Sequence, residues 1–69
     1  MKNETRLIDR LTAHFGGAYQ AAEAIGAKPQ QYYYWIGKGK IPFRRGLSIE
    51  QATNGAIKAI EVWEDAGKL

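Results

Sequence analysis

The chain has 69 residues, no cysteine and a formal charge of +3, which leaves room for one domain and excludes disulfides and thiolate metal sites. Hydrophobic residues make up 45% of it, enough for a packed globule and too many for a disordered chain. No apolar run approaches the ~20 residues that span a bilayer, and no signal-peptide pattern opens the chain, so a cytoplasmic protein without a membrane partner is expected.

A first helix is predicted from near Thr5 to near Phe15. Leu7, Ile8, Leu11 and Phe15 recur there at helical spacing and leave Arg6, Asp9, Arg10 and Thr12 on the other side. Gly16-Gly17 stops it, and an alanine-rich second helix follows from Ala18 to Ile25. Gly26 falls where a left-handed C-terminal cap would sit, so only Gly26, Ala27 and Lys28 connect to the next element. Pro29 starts the third helix, because its fixed φ suits the first helical position and its missing N–H costs nothing there. Lys28 is pushed toward an extended conformation by the proline after it. That helix runs to about Gly37, and Gly37, Gly39 and Pro42 end it in an exposed basic loop. A fourth helix from about Phe43 to Thr53 brings Leu47 inward, and Asn54-Gly55 closes it. In the tail, Ala56, Ile57, Ala59, Ile60 and Trp63 fit one helical face, whereas the alternation Lys58, Ile60, Val62 fits a strand. The alanine and glutamate content favours the helix. The expected fold class is therefore all-α, with four to five short helices in a single domain spanning residues 1–69.

The third helix sorts into two faces. Tyr32, Tyr33 and Tyr34 are consecutive, and at ~100° per residue they cannot share a face. Trp35 and Ile36 lie three and four positions after Tyr32, so these three form the apolar face. Gln30, Tyr33, Tyr34 and Gly37 form the complementary stripe, with Lys28 and Lys38 at its ends. Such a stripe suits base edges: glutamine pairs with adenine through two hydrogen bonds, and tyrosine offers a hydroxyl and a ring for thymine methyls. Paired exposed tyrosines equally suit a protein interface.

Charge is distributed unevenly. No acidic residue lies between Glu23 and Glu50, a stretch holding Lys28, Lys38, Lys40, Arg44 and Arg45, while residues 46–69 sum to −2. A basic middle between a neutral and an acidic segment points to a one-sided phosphate-facing patch, with Lys38, Lys40, Arg44 and Arg45 as its cations.

The order of features from Phe15 to Gly55 resembles the Cro-like phage repressors and the related YdaS-type regulators, whose fold is the lambda-repressor-like helix-turn-helix domain. The resemblance is carried by Ala22 and Gly26 at the end of the second helix, Tyr32 and Trp35 in the third, and the basic loop with Lys38 and Lys40. Ile41-Pro42, Arg45 and the run from Leu47 through Gly55 (Leu-x-Ile-Glu-x-Ala-Thr-x-Gly) complete it. It covers about two-thirds of the chain and places the motif at about 18–37. It implies base reading by Lys28, Pro29, Gln30, Tyr33 and Tyr34. It also implies homodimers on short pseudo-palindromic operators in double-stranded DNA, in a bacterial cell carrying a phage or prophage, where occupancy of the operator represses transcription. The chain departs from the pattern at three places. Lys28 stands where a serine or threonine caps the third helix, and Tyr32 where valine or isoleucine is buried. Ala18-Tyr19 replaces a Ser-Gln pair that often contacts phosphate; Tyr19 either donates its hydroxyl to a phosphate in its place or packs on the protein.

Other chemistries find less support. His14 is the lone histidine and has no paired acid at obvious spacing, so it reads as a surface or capping residue rather than a base, and no enzyme is expected. Metal-ligand clusters and cofactor motifs are absent from the sequence. Gly37-Lys38-Gly39-Lys40 superficially resembles a phosphate-binding loop but lacks the preceding strand and the Ser/Thr after lysine. The competing class is an antitoxin-like or antirepressor protein-interaction module that keeps the fold. Ile57, Ile60, Val62 and Trp63 form an apolar set in the 56–69 tail, read either as a dimerisation segment or as packing on the first helix.

Overall fold

The computed structural model describes residues 6–67. Five α-helices follow one another: α1 (Leu7–Phe15), α2 (Ala18–Ile25), α3 (Pro29–Lys38), α4 (Gly46–Ala52) and α5 (Ala59–Asp65), with a 3-10 turn at Phe43–Arg45 before α4. No strand occurs among the described residues, so the tail adopts the helical alternative. No helix among them is long and apolar enough to cross a membrane. The expected start of α1 near Thr5 and the tail beyond Gly67 lie outside the described residues.

The boundaries follow local chemistry. Gly16 and Gly26 both take left-handed conformations, with φ of 82° and 76°, and their turns close α1 and α2. At Gly26 this lets Ala27 N–H reach back to the Ala22 carbonyl at 2.9 Å, so the chain turns within three residues. α3 runs one residue past Gly37 and ends at the left-handed Gly39. Gly37 stays helical because the stop is set by the residue that leaves the right-handed region, and that residue is Gly39.

Leu7, Ile8 and Leu11 of α1, Ala21, Ala22 and Ile25 of α2, and Tyr32 and Trp35 of α3 form the core with Ile41, Ile49, Ile57 and Val62. Ala21 and Ala22 have no exposed surface, and their small side chains let α2 and α3 approach closely. Two expectations about the faces fail. Leu47 is 61% exposed, and Gly46 and Ile49 face inward instead. The 3-10 turn, with three residues per turn rather than 3.6, offsets the phase of α4 from that of a continuous α-helix starting at Phe43. A β-carbon on Gly46 would lie 2.5 Å from Trp63 Nε1 and 3.2 Å from the Ala59 carbonyl oxygen, so α4 meets α5 there without room for a side chain. In α5, Ala59 and Val62 set the buried side, and Ile60, one residue round from Ala59, turns outward at 48% exposure.

The α4–α5 junction is held by side chains that satisfy loose backbone groups. Thr53, buried at 3% exposure, donates to the Ile49 carbonyl at 2.8 Å and accepts from Ile57 N–H at 3.1 Å. Glu50 reaches across to accept Ala59 N–H at 3.0 Å. Glu61 accepts the Lys58 N–H at 3.0 Å, so two carboxylates serve the start of α5, where the helix dipole favours negative charge.

Candidate nucleic-acid interface

α2, the three-residue turn and α3 form the helix-turn-helix expected at 18–37. Lys28 is extended (φ −79°, ψ 145°) ahead of Pro29, as the proline requires. A lysine side chain cannot accept a hydrogen bond, so the N–H groups of the first turn have no side-chain cap here, and only the reciprocal contact forms. Gln31 Oε1 accepts the Lys28 N–H at 3.3 Å, one half of a capping box. Glutamine at the third helical position was the sequence signal for this.

The two faces of α3 separate as the spacing predicts. Tyr32 is fully buried, Trp35 is 6% exposed, and Ile36 is half-buried. Lys28, Pro29, Gln30, Tyr33, Tyr34 and Lys38 are all exposed, Tyr33 at 58% and Tyr34 at 63%. Lys38 Nζ stands 5.7 Å from the centre of the Tyr34 ring, a cation–π contact that keeps an ammonium beside the outward stripe.

Tyr34, Lys38, Lys40 and Arg44 line one concave surface, with Trp35 and Ile41 contributing to its lining. Two of the cations are tied to the protein. Lys40 Nζ donates to the Asp65 carbonyl oxygen at 3.0 Å, joining the loop to the end of α5. Arg45, half-buried, stacks its guanidinium 5.4 Å from the Trp35 ring centre. Arg44 and Lys38 are exposed. Tyr19, on α2, is 55% exposed. Tyr19, Lys28, Gln30 and Tyr33 lie outside the concave surface but on the exposed side of the same two helices.

Of the four apolar tail residues, Ile57 and Val62 are core residues at 2% and 0% exposure. They fill the interior of their own chain and have no surface to offer a partner. Ile60 points outward, and Trp63 is half-buried against Gly46. His14 is exposed and packs edge-on against Phe15, with ring centres 4.8 Å apart.

Sequence reasoning missed two residues that hold α3, Thr12 of α1 and Arg6 at its N-cap. Thr12, assigned to the outer side, instead faces the Tyr32 hydroxyl at 2.8 Å. Burial pushes the Tyr32 phenol above its ordinary value, so it stays protonated. Arg6 Nη1 donates to the Ile36 carbonyl at 2.9 Å, and its Nε and Nη2 bind Asp9, at 2.9 and 3.1 Å. The guanidinium holds the Asp9 carboxyl below the usual carboxylate range. Neither contact has a signal in the sequence, since both join residues at least twenty positions apart.

Comparison with known proteins adds one match. Residues 8–67 match the family model described as DNA-binding transcriptional regulator Cro. Searches of curated proteins and of solved structures gave no match. The family match spans every helix described above except the first residue of α1. The chain belongs to the DNA-binding transcriptional regulator Cro family.

Proposed function

We propose that the protein is a phage or prophage repressor that binds a pseudo-palindromic operator as a homodimer, with α3 in the major groove. Gln30, Tyr33 and Tyr34 read base edges, with Lys28 and Pro29 at the start of the helix close to the same bases. Tyr19, Lys38, Lys40, Arg44 and Arg45 face phosphates and set the register on the duplex. Repression follows from occupancy of a promoter-overlapping site. The single observation that carries this reading is the division of α3: Tyr32 and Trp35 are buried while Gln30, Tyr33 and Tyr34 are exposed beside a cation-lined surface.

Two exposed aliphatic side chains, Leu47 at 61% and Ile60 at 48%, support a dimer surface on α4 and α5, with Trp63 behind it. An apolar side chain left outside on a small domain gains from burial against a second copy. Ile60→Asp tests this without disturbing the core, and sedimentation of an unchanged dimer would remove α5 from the interface.

The decisive experiment is selection of bound duplexes from a random DNA library, repeated at rising salt. A selected motif with two half-sites about 10 base pairs apart supports the whole reading. Binding that weakens with salt on every duplex and selects no motif leaves only phosphate contacts. Failure to retain duplex at low salt, with a protein partner held instead, establishes the interaction-module alternative.

A further inference from the structure

We propose that Tyr32 is a positioning residue for sequence discrimination: its hydroxyl, held by Thr12 of α1, and the Arg6 contact one turn further on together fix the roll of α3, and so decide which outward side chains meet base edges. The proposal rests on α3 being the reading helix and names what orients it.

Tyr32 is the largest fully buried side chain among the described residues, and its ring packs on Trp35 with centres 5.8 Å apart. Its hydroxyl sits in the core with one partner, Thr12 Oγ1 at 2.8 Å. The Thr12 hydroxyl has a single proton, and that proton is directed to the Ile8 carbonyl, also at 2.8 Å. Tyr32 must therefore donate and Thr12 accept. The result is a directed relay from the α3 phenol through Thr12 to the backbone of α1, with every proton used. One turn along α3, the Ile36 carbonyl accepts from Arg6 Nη1 at 2.9 Å. A β-carbon on Gly39, in the turn that ends α3, would lie 3.1 Å from the same Nη1, so the guanidinium lies against the turn itself.

Two polar contacts one turn apart on one face act differently from apolar packing. A helix resting on aliphatic side chains can roll at little cost, because hydrophobic contact is non-directional. With side chains the helix radius is ~6 Å, so a 10° roll carries outward tips about 1 Å, a displacement comparable to the whole range of good hydrogen-bond lengths. The Tyr32–Thr12 bond, at side-chain radius, would break before Gln30 or Tyr33 moved far, while the Ile36 carbonyl, nearer the axis, shifts less and anchors the end of the helix. An aliphatic residue at position 32, the one the family pattern favours, would fill the core but leave the roll unkeyed.

The test compares Tyr32→Phe, Thr12→Val, Thr12→Ser and the Tyr32→Phe/Thr12→Val pair with the unmodified protein, each well below its melting temperature. Affinity for the library-selected duplex and for a random-sequence duplex is measured at one salt concentration. Tyr32→Phe and Thr12→Val are expected to bind random duplex within twofold of the unmodified protein, while preference for the selected site falls about tenfold. Thr12→Ser keeps the acceptor and restores the preference, and the double variant is no worse than either single one. Ile57→Val, a core change that removes neither hydroxyl of the contact, controls for lost stability and keeps full preference. Unchanged preference in Tyr32→Phe and Thr12→Val overturns the positioning role, as does an equal loss in Ile57→Val. If the unmodified protein selects no sequence, the reading-helix assignment falls and this proposal with it, an outcome distinct from a selected motif that Tyr32→Phe leaves intact.

Discussion

The amino-terminal three helices and the carboxy-terminal two are stabilised by different means. In α1–α3 the long-range polar contacts run from α1 to α3, through Thr12 and Arg6. In α4–α5 they serve helix ends: Thr53 and Glu50 satisfy backbone N–H groups at Ile57 and Ala59. The first region therefore uses its polar side chains to orient one helix, and the second uses them to keep two short helices formed. α4 and α5 have seven residues each, too few to be stable without such help. Changes in the second region should lower stability and leave sequence preference alone. Changes on the outer face of the first should do the reverse.

Trp35→Ala has the largest expected effect, since Trp35 packs on Tyr32 and carries Arg45, from the turn before α4, on its ring. Loss of a buried tryptophan costs ~3–5 kcal/mol, a large part of what a domain this small has. Urea titration should find the variant largely unfolded at physiological temperature. Gly46→Ala confines the damage to α4–α5. The added carbon meets Trp63 and Ala59, and overpacking of this kind costs about 1–3 kcal/mol. Denaturant midpoints should fall, while the motif selected from a DNA library stays the same; a changed motif would mean the two regions are not separable.

Gln30→Ala and Arg44→Ala act on the outer face. The first should relax preference at one base position by ~1–3 kcal/mol. The second should weaken all duplexes alike and reduce the salt slope by about one unit. Neither should move the melting temperature, and a drop in both would place these side chains in the fold rather than the interface.

The smallest effect joins the two regions across their surface. Arg10 donates to Glu61 at 2.7 Å, and the Lys58 N–H, then Arg10, hold the Glu61 carboxyl below its ordinary value. A carboxylate depressed by folding contributes stability above its unfolded pKa, and the contribution disappears as pH falls through the lower, folded one. Stability should therefore fall slightly on acidification below the ordinary glutamate range. Glu61→Gln should flatten that part of the pH profile; an unchanged profile would show that the pair does not join the regions.

How far the sequence foretold this depends on which chemistry set each feature. Gly26 and Pro29 are local devices, and they fixed the turn and the start of α3 to the residue. The burial of Tyr32 and exposure of Tyr33 and Tyr34 followed from helical periodicity alone. Leu47 went astray because a 3-10 turn has no clear signature, and this one offsets the face that α4 turns inward. Ile57 and Val62 were grouped with Ile60 because an apolar residue carries no mark of whether its partner is its own chain or another. The residues that the resemblance marks for base reading are ones the structure leaves exposed, while the Arg6 and Thr12 contacts to α3 come from too far away in sequence for spacing to find.

The Arg45 guanidinium stacked on Trp35 has an optical consequence. Trp35 is one of two tryptophans in the chain, and Trp63→Phe leaves it as the single indole. In the proposed binding mode a phosphate competes with the ring for Arg45, so drawing the cation away changes the environment of that indole. The protein then carries its own fluorescent reporter of DNA engagement, on the buried face of α3 itself and requiring no label.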